Sequence, residues 1–174
     1  MKNLTGIGND IMKFERNKDK NNLGHIGIGK IYAIKNWLEE MNITRYTILE
    51  DMTIDVADNV WLDRKINGQL PEFIKFNNVE GYFCIRKCFL ISLKGSPEKC
   101  SSFFCKNNNL TSLEYSPKNI KNYFDASDNL LTNLDGLKCK DAIYLNVNVN
   151  NNPIPTHIIE KYKREGFKIK KLQG

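Results

Sequence analysis

Three groups of residues in this chain have types and spacings that could do chemistry. The first is Gly24-x4-Gly29-Lys30, in GHIGIGK, ahead of a helical pattern. A glycine-rich loop that opens a helix can cradle phosphate with its backbone N–H groups, and a lysine there can reach the outer phosphates. Here, however, Ile31 stands where a Ser or Thr hydroxyl would hold Mg²⁺. The preceding residues, NKDKNNL, are not a buried strand, and no parallel α/β pattern follows to supply a metal-binding aspartate. The expectation is a glycine-rich connector, with simple anion binding as the remaining chemistry. The second group is Cys84, Cys88, Cys100 and Cys105, which suggests zinc only if four thiolates converge. The third is a set of aromatic and charged residues: Trp61, Tyr82, Arg86, Phe104, Lys106, Tyr123 and Asp125. Trp, Tyr and Arg are the usual anchors of protein interfaces, provided the fold brings them to one surface.

What positions these residues is a repeat. FFCKNNNLTSL gives Phe103-x-Cys105-x-x-Asn108-x-Leu110-x-x-Leu113. FDASDNLLTNL gives Phe124-x-Ala126-x-x-Asn129-x-Leu131-x-x-Leu134, and FCIRKCFLISL gives Phe83-x-Ile85-x-x-Cys88-x-Leu90-x-x-Leu93. The starts lie 20 and 21 residues apart, and Ser96-Pro97 and Ser116-Pro117 recur after the last leucine. Weaker copies flank these. One begins at Val60, with Lys65 in the Asn slot; the other begins at Val147, with His157 in place of the second leucine. Leucines three apart suggest a helix, but asparagine runs and Ser-Pro make a poor helical context.

The pattern resembles the leucine-rich repeat, L-x-x-L-x-L-x-x-N/C-x-L. A length near 20 with a following proline is most similar to the short-repeat class of bacterial effectors and bacteriophage proteins. The resemblance covers about residues 56–157 and implies an α/β solenoid of about 4–5 repeats. A parallel sheet would line its concave face, with helices capping both ends. The physics agrees: apolar-x-apolar is a short strand, the Asn amide bonds neighbouring backbone, and the leucines cover the core on the return. In this register Cys84 points outward and Cys105 inward. Four thiolates then cannot meet, so no zinc is expected. Cys84 is expected to react with alkylating agents, and Cys105 is not.

The register sorts the outward residues into rows. Trp61, Cys84, Phe104, Asp125 and Asn148 form the middle row. Asn59, Tyr82, Ser102, Tyr123 and Asn146 lie on one side; Asp63, Arg86, Lys106, Ser127 and Asn150 lie on the other. The expected contact patch is therefore Trp61, Tyr82, Arg86, Phe104, Lys106 and Tyr123, with Asp125 at an acidic edge. The alternative is that Trp61 and Phe104 are covered by the N-terminal arm or in a self-dimer.

The ends read as follows. Residues 1–29 form an arm or irregular segment. Residues 30–58 form a helix (IYAIKNWLEEM) and a strand or hairpin capping the repeats at 59–157. A closing helix and tail occupy 158–174, with Thr156 as N-cap and Gly166 as stop. The lysines of FKIKKL would blunt an edge strand.

Composition sets the class. The chain has 174 residues, 41% hydrophobic and 26% charged, enough to bury a core. No apolar run approaches the ~20 residues of a membrane span, and MKNLTGIGND lacks a leader's apolar region. Five cysteines that read as packing fit a reducing cytoplasm, which would be a host's if the chain is phage-encoded. The net charge of +6 is patchy: 6 basic against 3 acidic residues over 1–30 gives +3, and 2 against 6 over 31–59 gives −4. His25 and His157 have no evident partner, and no nucleophile elbow or metalloprotease motif appears. No catalytic residue, cofactor or metal is expected. The expected function is non-catalytic binding of a protein partner, as a monomer or weak homodimer, and family habit points to inhibition of a host defence protein. The alternative is a nucleic-acid or nucleotide binder using the basic surfaces of 64–106 and 158–171.

Overall fold

A computed structural model describes residues 23–139 and 146–171. In chain order the elements are α1 (Leu23–Glu40), β1 (Tyr46–Ile48), β2 (Ile54–Val56), β3 (Val60–Trp61), β4 (Phe76–Cys84), β5 (Lys99–Phe104), β6 (Asn119–Asp125), β7 (Asn146–Asn148), α2 (Thr156–Arg164) and β8 (Ile169–Lys170). β1 and β2 form an antiparallel hairpin, Tyr46 opposite Val56. Every other pairing is parallel: β2 with β4, β3 with β4, then β4-β5-β6-β7-β8. The architecture is a solenoid. Val60, Phe83, Phe103, Phe124 and Val147 are consecutive register partners, as the repeat alignment requires.

The repeated letters build the core directly. Phe83, Phe103 and Phe124 are fully buried and stack as a column, with ring centroids 5.5 and 5.4 Å apart. Leu90, Leu110 and Leu131, with Leu93, Leu113 and Leu134, close the core from the returning chain and are all buried. Their spacing of three belongs to coil, since no helix occurs between β4 and β7 among the described residues.

The Asn slot carries the return. Asn108 Nδ2 donates to Cys105 O (2.8 Å) in its own turn and to Ile85 O (2.9 Å) in the turn before. Its Oδ1 accepts from the backbone of Cys88 (2.9 Å) and Leu90 (3.1 Å). Asn129 does the same one turn on, donating to Ala126 O and Cys105 O and accepting from Leu110 N, each at 3.1 Å. Asn152 donates to Ala126 O (2.9 Å) and accepts from Leu131 N (2.9 Å). Cys88 fills the same slot and its thiol donates to Leu62 O (3.1 Å), so a cysteine keeps the donor half of the pattern.

Two further positions recur. The residue before the slot is left-handed in all five turns: Arg64, Lys87, Asn107, Asp128 and Asn151 have φ between 55 and 58°. Asn and Asp tolerate that region best, and three of the five are Asn or Asp. A second left-handed site lies two residues after the second leucine, at Gly95, Tyr115 and Gly136. There the turn closes, with Ser96 N donating to Leu93 O and Ser116 N to Leu113 O, both at 3.0 Å. A Cβ on Gly136 would sit 2.3 Å from Glu114 N, so neighbouring turns touch backbone to backbone at that point.

The ends differ from expectation in detail. α1 begins at Leu23, so Gly24 and Gly29 are helical residues and not a phosphate-cradling loop. Its second half is buried at Ile34, Trp37 and Leu38, and Trp37 meets Phe76 at 6.3 Å between ring centroids. Residues 1–22 of the expected arm lie outside the described residues. The N-cap of α2 is Pro155 with no side-chain cap; Thr156 is the first helical residue. Gly166 has φ 98° and ends α2 as expected. Gly166 N donates to Lys163 O, Phe167 N donates to Tyr162 O, and the two rings touch, as in a Schellman stop. β8 then pairs with β7, with Lys168 and Lys170 exposed.

Asn129→Ala is expected to strand Leu110 N in a buried site and to take one of two donors from Cys105 O and Ala126 O, costing about 2 kcal/mol in urea unfolding. Asn109→Ala, at an exposed neighbour, should stay within about 0.5 kcal/mol of the parent.

Candidate functional site

The outward face of the sheet carries the rows that the register requires. Trp61, Cys84, Phe104, Asp125 and Asn148 are successive register partners, and so are Tyr82, Ser102, Tyr123 and Asn146. Within these two rows the aromatic residues alternate. Trp61 and Phe104 lie in one row on turns one and three; Tyr82 and Tyr123 lie in the other on turns two and four. The result is a zigzag of touching rings. Trp61 meets Tyr82 at 6.5 Å and 88°, Tyr82 meets Phe104 at 6.0 Å and 86°, and Phe104 meets Tyr123 at 5.8 Å and 44°. Such tilted contacts each add about 0.5–1.5 kcal/mol beyond burial.

The zigzag needs small residues at the alternate positions, and it has them. Cys84 lies between Trp61 and Phe104, and Ser102 lies between Tyr82 and Tyr123. Both are buried. This corrects the expectation that Cys84 is reactive. It points outward, as its register requires, yet it is only 1% exposed, set between the larger Trp61 and Phe104. Burial, aided by the negative charge of Asp63, pushes its thiol up to about 11. Cys105 is fully buried, with its thiol raised by burial as well.

The expected contact residues divide into two kinds. Trp61 and Tyr82 are 47% and 43% exposed; Phe104 and Tyr123 are half-buried within the same strip, and Lys106 is half-buried two residues beyond Phe104. Arg86 flanks it and is tied to Asp63. The Asp63 carboxylate accepts from Arg86 N (2.9 Å) and Nε (2.7 Å), and Nη2 donates to the same oxygen as Nε. That hydrogen bond also raises the pKa of Arg86. Asp125 is not at an exposed acidic edge. It is 7% exposed, and its Oδ1 accepts from Ser127 Oγ (2.6 Å), Ser127 N (3.1 Å) and Asn148 Nδ2 (3.1 Å). It holds turns four and five together. Burial, and then the nearby Asp125, raise the pKa of the Tyr123 phenol.

The positioning role of two residues, Asn59 and Gly81, escaped the sequence reading. Asn59 Oδ1 accepts from Tyr82 N (2.8 Å), and Gly81 is what lets it approach. A Cβ on Gly81 would lie 2.2 Å from that oxygen. The signal was present in the Gly-Tyr pair that precedes Phe83, but only the neighbouring turn gives it meaning.

Among the described residues no group of three His, Cys, Asp or Glu is placed to hold a metal ion. No helix among them is long and apolar enough to cross a membrane. No family model, curated protein or solved structure matches the chain.

Folded protein is expected to resist iodoacetamide at Cys84, read by peptide mass spectrometry at pH 8. The double variant Trp61→Ala, Phe104→Ala should open that site and raise its labelling rate at least about tenfold. Equal rates in the two proteins would mean the rings are not its cover.

Proposed function

We propose that this chain is a non-catalytic protein-binding module of the leucine-rich-repeat type, working through the concave face of its solenoid. The observation that carries the reading is the aromatic strip Trp61–Tyr82–Phe104–Tyr123, continuous across four turns and half-open to solvent. Large exposed rings in contact with one another are costly in water unless a partner covers them. The solenoid interior has its own phenylalanine column and does not need them. In this reading α1 and α2 act as end caps, since each buries apolar residues at one end of the array.

The short-repeat resemblance gives the finer form: an inhibitor, encoded by a phage, that occludes a host defence protein in the host cytoplasm. That step rests on family habit. A second reading, binding of nucleic acid by basic surface, is favoured by the exposed lysines Lys99 and Lys121 on the same sheet.

Partner capture from a host lysate is expected to depend on the strip. Tyr82→Ala and Phe104→Ala should each weaken the captured complex by about 2 kcal/mol, with the melting temperature shifted by only a few degrees. Salt-tolerant binding to one protein supports the proposal. Binding that collapses between low and moderate salt and vanishes with nuclease supports nucleic acid instead.

A further inference from the structure

The charges around the strip are uneven, and their pairing shows where a ligand's charge would go. Asp63 is taken by Arg86, and Asp125 is buried against Ser127 and Asn148. Glu98 is taken by Lys118 at 2.7 Å. Lys99, Lys106 and Lys121 remain on turns three and four, and no carboxylate among the described residues lies within ion-pair distance of them. Glu80, on turn two, is the exposed acid left on β4. The face is therefore apolar along its middle and cationic over turns three and four.

We infer that this face receives an acidic, extended segment of a protein partner, with apolar side chains on the Trp61–Tyr123 strip and carboxylates at Lys99, Lys106 and Lys121. The inference rests on the proposed protein-binding reading and adds the chemistry of the partner. Lys106 is half-buried in the row beside Phe104, so a carboxylate meeting it there is less screened than at an open surface. Ring geometry favours a peptide over a nucleic-acid strand. Bases need open ring faces to stack on. Here two of the three ring contacts are near-perpendicular, at 88° and 86°, so edges and faces are already engaged with one another. The surface left is a ridge suited to aliphatic and aromatic side chains.

The test uses the full chain and three fluorescent probes. One is a peptide of about eight residues alternating glutamate and leucine, longer than the ~14 Å that four turns span. The second replaces glutamate with lysine, and the third is an oligothymidylate of matching charge. The acidic peptide is expected to bind saturably, and the lysine peptide is not. The triple variant Lys99→Glu, Lys106→Glu, Lys121→Glu should weaken the acidic peptide by at least about tenfold, a loss of roughly 1.4 kcal/mol. It should also gain the lysine peptide and melt within a few degrees of the parent. Absence of saturable binding by the acidic peptide overturns the inference. So does equal binding by the triple variant, or tighter binding of oligothymidylate at physiological salt. A doubled mass in solution that the triple variant abolishes also overturns it, because the occupant is then a second copy. Phe104→Ala separates the two levels. If it weakens partner capture while the triple variant does not, the protein-binding face stands and its acidic preference fails. If neither variant changes capture, both fail.

Discussion

The buried amide of the Asn slot is the interaction on which the rest depends. One side chain satisfies backbone in its own turn and in the turn before, as Asn108 does with Cys105 O and Ile85 O. Its oxygen takes N–H groups that the returning coil leaves without a strand partner, such as Leu90 N. A coil closed over a hydrophobic core has no water to satisfy those groups, and each orphan would cost about 1–3 kcal/mol. The amide therefore removes a penalty and also fixes how one turn sits on the next. Register on the sheet follows from it, because strands joined at the core by this ladder have no freedom to slip.

The outward aromatic strip inherits that order. Aromatic rings in one row of a flat sheet would crowd at the ~4.8 Å strand spacing. Alternating them between two rows lengthens the ring-to-ring distance to 5.8–6.5 Å and lets each tilt onto the next. The arrangement needs Cys84 and Ser102 to be small and Gly81 to admit Asn59. A slip of one residue on any turn would place a ring over a ring or a ring over nothing. The strip is thus a product of stacking between turns, not of any single repeat.

Much of this was legible in the letters, and the failures share a cause. The shared Asn and Leu positions gave the turns, and the strand partners Phe83, Phe103 and Phe124 fell where the alignment placed them. What a repeat alignment supplies is direction, in or out. It does not supply the size of the neighbour one turn away. Cys84 and Asp125 point outward and are nonetheless buried, the first between Trp61 and Phe104 and the second bonded to Ser127 and Asn148. The start of α1 was missed for a different reason. Three glycines, Gly24, Gly27 and Gly29, at about 1 kcal/mol each argue against a helix across 24–29, and local propensity lost to a helix anchored by Ile34, Trp37 and Leu38.

The core residues and the outward strip occupy separate rows of the same strands, which has a consequence for how the surface can change. Phe103 faces the core and Phe104 faces out, one residue apart. An outward residue can be exchanged without opening a cavity, so long as the small positions beneath it stay small. Exchange is easiest at Trp61 and Tyr82, which are most exposed. It is most constrained at Asp125, whose carboxylate joins two turns. The scaffold therefore permits exchange of residues on the N-terminal half of the face. Its C-terminal half is held by the Asp125, Ser127 and Asn148 bonds that keep the last turns in line.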